Sequence, residues 1–540
     1  MMRRRAWCSL ALSVTLTGTL LSACGGGGGG GKAERDDSIL DNLNETGMPI
    51  VNEPITMKAF AGKFFASADW NNLMLWQEYE KMTNLHMEWD TVQVETLTEK
   101  RNLLLAGGDY PELLYATAVS KPDLIRYGTE GVFLPLNDLI EEYAPNFKKL
   151  MDDYPIVKKG ITMPDGNIYS FPTIRDPEFM AVRTRTPWMK KEWLDNLGLQ
   201  EPTTLDEFYN VLKQIKEGDP NGNGQADEIP YGALGISQLL DFLKGSFGLN
   251  NHGTANVHID EDPETKKLRF IPADPRYKEI LEYTNKLYSE GLIDKEILSL
   301  KTAEFTARAS EGVYGFVSNV NPESIFNQQG YIGMPVLEGP YGDRKNTAIG
   351  SPLGNLGQFI ITDKNQNPEA AVRWMDYFYS DEGARMFFMG FKDVTYKEQP
   401  SGELEYTDEI INNPKGLNLD QAVSQYLIWP GGYYPGIIKH KFFKGAEGRP
   451  SSIENTTKAL PYTLKDEEIW PAFNFTTEEQ DELTTIQSDL DIFIEEMRDK
   501  FITGAASFSE WDDYVQKMEK MGLERYMKIY ETAYERYQKQ

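Results

Sequence analysis

Trp193-Leu-Asp-Asn-Leu-Gly-Leu199, Pro202-Thr-Thr-Leu-Asp-Glu-Phe208 and, after a helical run, Asp219-Pro-Asn-Gly-Asn-Gly-Gln-Ala-Asp-Glu228 follow one another in this chain of 540 residues. The last stretch sets oxygen-bearing side chains at alternate positions, with Gly224 in sixth place. A hard cation the size of calcium takes six to eight oxygens, and a glycine lets the backbone wrap around it. Asp219, Asn221, Asn223, Asp227 and Glu228 would offer side-chain oxygens, and Gln225 its backbone carbonyl. The usual calcium loop carries a bidentate Glu in twelfth place. Here that place is Pro230, and Glu228 takes the role two residues earlier. A solvated Asn/Gly turn is the plain alternative. Three carboxylates within ten residues would repel one another without a cation, which favours the metal.

Upstream of this stretch the pattern is strand, helix, strand. Ile55 to Phe60 alternates in polarity, Asn71 is placed to cap a helix over Leu73 to Met82, and a second strand spans Leu85 to Val92. A helix over Leu97 to Ala106 and a short strand at Glu112 to Tyr115 continue the series, which predicts an open, parallel α/β sheet. Downstream the balance shifts to helix, at Leu205 to Lys216, Tyr277 to Glu290 and Glu369 to Tyr379. The last sixty residues are nearly all helical, over Thr477 to Phe501 and Phe508 to Tyr537.

The chain begins with Arg3-Arg4-Arg5, an apolar run from Ala6 to Leu21, then Leu21-Ser22-Ala23-Cys24 and the glycines Gly25 to Gly31. A basic head, a short apolar stretch and small residues before a cut site read as a secretory signal rather than a spanning helix. Leu-Ser-Ala-Cys resembles the lipobox of bacterial lipoproteins, which implies cleavage after residue 23 and lipid on Cys24. Acyl chains in pairs hold a protein firmly at a membrane, and the glycine run makes a flexible leash. Of the two cysteines, Cys8 leaves with the signal, so the folded part has no thiol for a disulfide, a nucleophile or a zinc site. The net charge is −28, and losing three signal arginines makes the mature chain more acidic still. Such a surface argues against nucleic acid or anionic lipid as partner.

The tandem of the Trp193 segment and the Asp219 loop resembles the extracellular solute-binding proteins of family 1, in their large lipoprotein branch with the alginate-binding proteins. Gly107-Gly-Asp-Tyr-Pro-Glu112, Gly131-Val-Phe-Leu-Pro-Leu-Asn-Asp138, Met163-Pro-Asp-Gly-Asn-Ile-Tyr169 and Tyr379-Ser-Asp-Glu-Gly383 fall in the order expected of that family. The resemblance implies a two-lobed α/β fold of the periplasmic-binding-protein kind, each lobe an open sheet flanked by helices, with a helix-rich C-terminal part. Expected boundaries are a signal over 1–23, a tether over 24–53, an N-lobe of 54–172 plus 341–405, and a C-lobe of 173–340 plus 406–540 carrying the calcium loop. It further implies a structural Ca²⁺ at the six positions above, away from the ligand. The activity implied is that of a monomeric receptor with no catalytic residues, held on the outer face of the membrane of a single-membrane bacterium. It would deliver an oligosaccharide to the permease of an ABC importer, whose ATPase is a separate cytoplasmic subunit.

Aromatic residues make up 12% of the chain, with ten Trp and twenty-eight Tyr, and carbohydrate clefts use rigid rings as platforms. Ligand candidates are Trp70 and Asn71 after the first strand, Tyr115 at the end of the third, and Phe316 and Asn319 on a second-lobe strand and its loop. Trp429 and Tyr433 lie on a Pro/Gly loop, and Arg183 and Arg185 could meet a carboxylate or hydroxyls. Trp193 reads as structural. A carbohydrate-active enzyme or a receptor for peptides or other solutes are the alternatives. Neither a GxSxG elbow nor an HExxH motif is present, nor a GxxxxGK[ST] phosphate loop. An adhesin would show repeats or Ser/Thr-rich stalks, and the chain has neither.

Overall fold

The computed structural model describes residues 38–318, 321–428 and 434–540. The short helix Ser38–Asp41 belongs to a leading unit, and Asn42–Gln540 form the main one. In chain order the strands of the two principal sheets are β1 (Ile55–Lys63), β2 (Leu85–Gln93), β3 (Leu113–Tyr115), β4 (Trp188–Lys190), β5 (Ile229–Ala233), β6 (Tyr314–Ser318), β7 (Tyr331–Gly333) and β8 (Phe359–Ile361). Strands β1–β3 and the helices Met74–Thr83 and Leu97–Gly107 between them start and stop within two or three residues of the expected bounds.

The first sheet has the order β8-β3-β1-β2. Its inner strands are parallel, with Ile55 opposite Leu85 and Ala59 opposite Leu113, and β8 closes one edge antiparallel. Strand β1 alternates while one face meets solvent and then runs fully buried from Ala59 to Gly62, as a central parallel strand does. The second sheet has the order β7-β4-β6-β5, with β5 and β6 parallel and β4 and β7 antiparallel.

Each sheet carries its own core. The first gathers Ile50 to Phe179 and Leu353 to Phe443; the second gathers Met189 to Leu337 and Trp470 to Ala533. Two expected boundaries therefore move. Residues from Asn42 onward are anchored rather than tethered: Leu43 bridges Val51, Ile50 is wholly buried, and the amides of Ile50 and Val51 donate to the Thr83 carbonyl. Residues 406–443, expected in the second lobe, add Tyr406, Ile410, Val423, Ile437 and Phe442 to the first core. Asn71 also caps no α-helix. It lies in a 3-10 turn, Trp70–Asn72, whose cap is Asp69.

The chain crosses between the lobes three times, and the crossings lie side by side. Ile174 bridges Leu353, Thr184 bridges Ile349, and Asn346 bridges Thr463. A further contact joins the lobes through Lys121, at the start of the helix Lys121–Thr129. Its ammonium donates to the Ala472 carbonyl at 2.6 Å and to Asn474 Oδ1 at 2.6 Å, beside the second-lobe core residue Phe473. Burial pushes this lysine down from 10.5 to about 7. The unfolded chain keeps the proton to higher pH than the folded one, so the lysine's contribution to stability rises between about pH 7 and pH 10. Lys121→Met should flatten that part of the stability–pH profile, measured by denaturant unfolding; an unchanged slope contradicts the assignment.

Candidate functional site

The helix Leu205–Glu217 buries Phe208, Val211, Leu212 and Ile215 on one face and is capped by the Thr204 side chain accepting the Glu207 amide. It delivers the chain to the loop 219–228, which ends at β5. The Asp219 carboxylate accepts the amides of Asn223 and Gly224 at 3.1 and 2.9 Å. Asn221 Oδ1 accepts the Asn223 amide, and Asn223 Oδ1 the Gln225 amide. Asp227 accepts both Asn side-chain amides, each at 3.0 Å. Gly222 and Gly224 take φ of +70° and +75°, which lets the loop curl on itself.

Glu228 is the anomaly. Both of its carboxylate oxygens are buried, with no hydrogen-bond partner among the described residues. Burial raises its pKa, and the charges of Asp227 and Asp219 add to the rise; nearby backbone amides pull the other way without reaching hydrogen-bond geometry. An orphaned buried carboxylate costs free energy unless something cationic meets it. No group of three or more His, Cys, Asp or Glu converges as a metal cluster among the described residues. A site here would draw on the amide and backbone oxygens of the loop as well as its carboxylates.

The ring candidates are placed differently from expectation. Trp70 has no exposed surface and lies 5.1 Å from Trp89, 5.9 Å from Tyr115 and 6.2 Å from both Trp76 and Tyr434, centroid to centroid. Tyr115 is also fully buried, and burial lifts its phenol well above the usual range. Phe316 lies edge-on to Phe208 at 5.2 Å in the second core. These three fill cores instead of lining an open platform. An apolar ring at a strand end is as useful under a sheet as over a ligand, and here neighbouring rings claim it. Asn71 points back, accepting the Trp89 amide and donating to the Trp89 carbonyl.

Arg183 is also spoken for. Its side chain is fully buried at the crossing, donating to the Gly350 and Pro177 carbonyls and pairing with Asp466. Arg185 remains exposed and lines a small cavity with Glu447 and Asn455. Trp193 is buried in the second core, as expected of a structural residue. Cys24, Asn319, Trp429 and Tyr433 lie outside the described residues. Ser67 Oγ donates to the Ile428 carbonyl at 2.6 Å, just past β1, where Phe65 stands 62% exposed.

A groove of about 1120 Å³ that the sequence reading did not single out lies between further elements. One wall is the helix Asp381–Met389 with the hairpin Tyr396–Glu398/Leu404–Tyr406 and residues 440–444, all set on the first core. The other is the helix Pro450–Ala459, held to the second lobe by Asn455 with Thr186 and by Ser452 with Asn321. The signal was present as a basic run from Lys439 to Arg449, four cations against one Glu, which the structure sets across from Glu398 and Glu403.

The sequence model of bacterial extracellular solute-binding proteins matches residues 67–385. The chain belongs to that family. FusA of Streptococcus pneumoniae serotype 4, a fructooligosaccharide ABC transporter substrate-binding protein, is 28% identical over 564 residues, covering 99% of each chain. Lipoprotein LipO of Bacillus subtilis is 25% identical over 84% of this chain and 88% of its own. The structure of S. pneumoniae FusA with kestose superposes with a TM-score of 0.71 at 28% identity, covering 90% of this chain and 99% of that one. A FusA EF-hand mutant with fructo-nystose gives 0.70 at 27% identity with the same coverage. The two-lobed fold is that of solute-binding proteins, and this family binds solutes rather than transforming them. No helix among the described residues is long and apolar enough to cross a membrane.

Proposed function

We propose that the mature chain is a monomeric, lipid-anchored receptor on the outer face of the cell membrane, which binds an oligosaccharide between its lobes and hands it to the permease of an ABC importer. The observation that carries this reading is the pair of separate cores joined by three adjacent crossings. Two rigid bodies on a short multi-strand hinge can close on a solute, the usual motion of such receptors. The end-to-end similarity to a fructooligosaccharide-binding protein supports a sugar as the solute. Delivery needs no catalytic group in the receptor. Fuel would come from a separate ATPase, consistent with the missing phosphate loop.

The loop 219–228 would hold a structural Ca²⁺ through Asp219, Asn221, Asn223, Asp227, Glu228 and the Gln225 carbonyl. The unpartnered Glu228 carboxylate supports this, since a cation would relieve its burial and the repulsion from its acidic neighbours. The existence of an EF-hand mutant of FusA is in keeping with such a loop in a relative. Bound calcium would brace the junction between the helix Leu205–Glu217 and β5, away from the groove between the lobes.

Three measurements follow. In calcium, the lipid-free chain should gain thermal stability with one class of oligosaccharide and leave that sugar intact. At a hundredfold excess over Kd the gain is about 2.7 kcal/mol. A shift with peptides alone, or sugar breakdown, contradicts the reading. Chelation should lower the melting midpoint and added calcium restore it; an unmoved midpoint makes the loop a simple turn. Cys24→Ala should release the protein from the membrane fraction into the medium, and continued retention contradicts the anchor.

A further inference from the structure

Resting on the receptor reading above, we infer that the groove between the helices Asp381–Met389 and Pro450–Ala459 seats a neutral oligosaccharide and rejects an acidic one. Its two walls belong to different lobes, so a ligand lying in it touches both and is sensitive to their closure. A volume of about 1120 Å³ exceeds what a single small molecule fills and suits a chain of several rings.

The charges decide the class. Lys441 and Lys439 both pair with Asp381, and these contacts hold its carboxyl below the usual range. Lys444 stands 3.5 Å from Glu403, and Arg449 3.5 Å from Glu323. The last groove cation, Arg385, is exposed and makes no ion pair within 4 Å among the described residues, while Glu398 on the same lining pairs with Lys392 at 2.8 Å. Apart from Arg385, every lysine and arginine on the lining thus already pairs with a carboxylate of the protein. Glu382 and Glu454 add two more negative charges to the walls, so the lining's five carboxylates outnumber its four lysines and arginines. A uronate could meet only Arg385 without displacing a resident carboxylate and would still face an excess of negative charge. Arg183, the obvious reserve cation, is buried against Asp466, and Arg185 faces a different cavity.

A neutral sugar meets no such conflict. Each hydroxyl both donates and accepts, so adjacent hydroxyls can bridge a carboxylate and its ammonium without breaking the pair. Between the ion pairs, Leu404, Phe442 and Ile453 provide apolar surface for the C–H faces of a ring. The exposed His440, tilted against Phe179 at 5.0 Å between centroids, offers a ring edge at the rim.

The test uses the lipid-free mature chain in calcium, titrated calorimetrically with neutral fructo- and gluco-oligosaccharides and with oligogalacturonates of equal length. A neutral set member should bind, and the uronates should bind at least tenfold more weakly. Thr457→Trp, on the exposed groove face of its helix, should weaken neutral binding at least tenfold while leaving the unliganded melting temperature unchanged. The pair Asp381→Asn and Glu403→Gln frees Lys441 and Lys444 and should raise uronate affinity at least tenfold at low salt. Tighter binding of uronates to the unaltered chain overturns the inference but leaves the receptor intact. Neutral binding indifferent to Thr457→Trp places the sugar elsewhere and also overturns it. Binding of peptides alone, with no sugar of either class, instead removes the oligosaccharide reading on which the inference rests.

Discussion

The architecture depends on a polypeptide that must pass three times through one narrow neck. Each passage exposes backbone groups that the lobes' sheets do not satisfy, so the neck supplies its own partners. Thr184 pairs with Ile349, Ile174 with Leu353, and Asn346 donates to the hydroxyls of Thr184 and Thr463 together. Arg183 fills the space beside them, with its guanidinium spread over two carbonyls and one carboxylate. A small apolar knot of Ile349, Leu464 and Ile469 completes the contact. The neck is thin compared with the cores on either side, which is the condition for two lobes to move as rigid bodies.

Given that neck, the positions of the other features follow. The strand ends of β1 and β3 open toward the same side, where Ser67 ties the loop after β1 to the segment preceding residues 429–433. The helix Pro450–Ala459 lies in the third crossing, so it rides on the second lobe while facing first-lobe elements across the groove. The loop 219–228 sits at the far end of the helix Leu205–Glu217, which suits a bracing role better than a ligand-contacting one.

What the sequence made legible were local patterns. The alternation in Ile55 to Phe60, the periodic helices and the hydrogen-bonded Asp219 loop each declare themselves within a dozen residues, because one face or one run of Asx and Gly residues decides them. The fate of a single ring does not. Trp70 sits at a strand end beside polar residues, a setting that suits a sugar platform equally well. Its burial is settled by Trp76, Trp89, Tyr115 and Tyr434, the last of which lies far along the chain, with Trp374 backing Trp76. Arg183 misled for the same reason, since Asp466 lies 283 residues away. The lobe boundaries were legible only in part: residues 406–443 look like the start of the helical C-terminal part, yet their apolar side chains complete the first core. The last helical stretch likewise reads as one run but breaks at Gly522, whose φ of +107° ends the helix Trp511–Lys520 and starts Leu523–Lys539.

The central claim is that two rigid lobes close around an oligosaccharide. Small-angle X-ray scattering of the calcium-loaded chain, with and without a neutral oligosaccharide shown to bind, tests it most directly. The account expects the radius of gyration to fall on binding, with each lobe's internal shape unchanged. A bound sugar that leaves the scattering profile unaltered would contradict closure and, with it, the receptor mechanism derived from the neck.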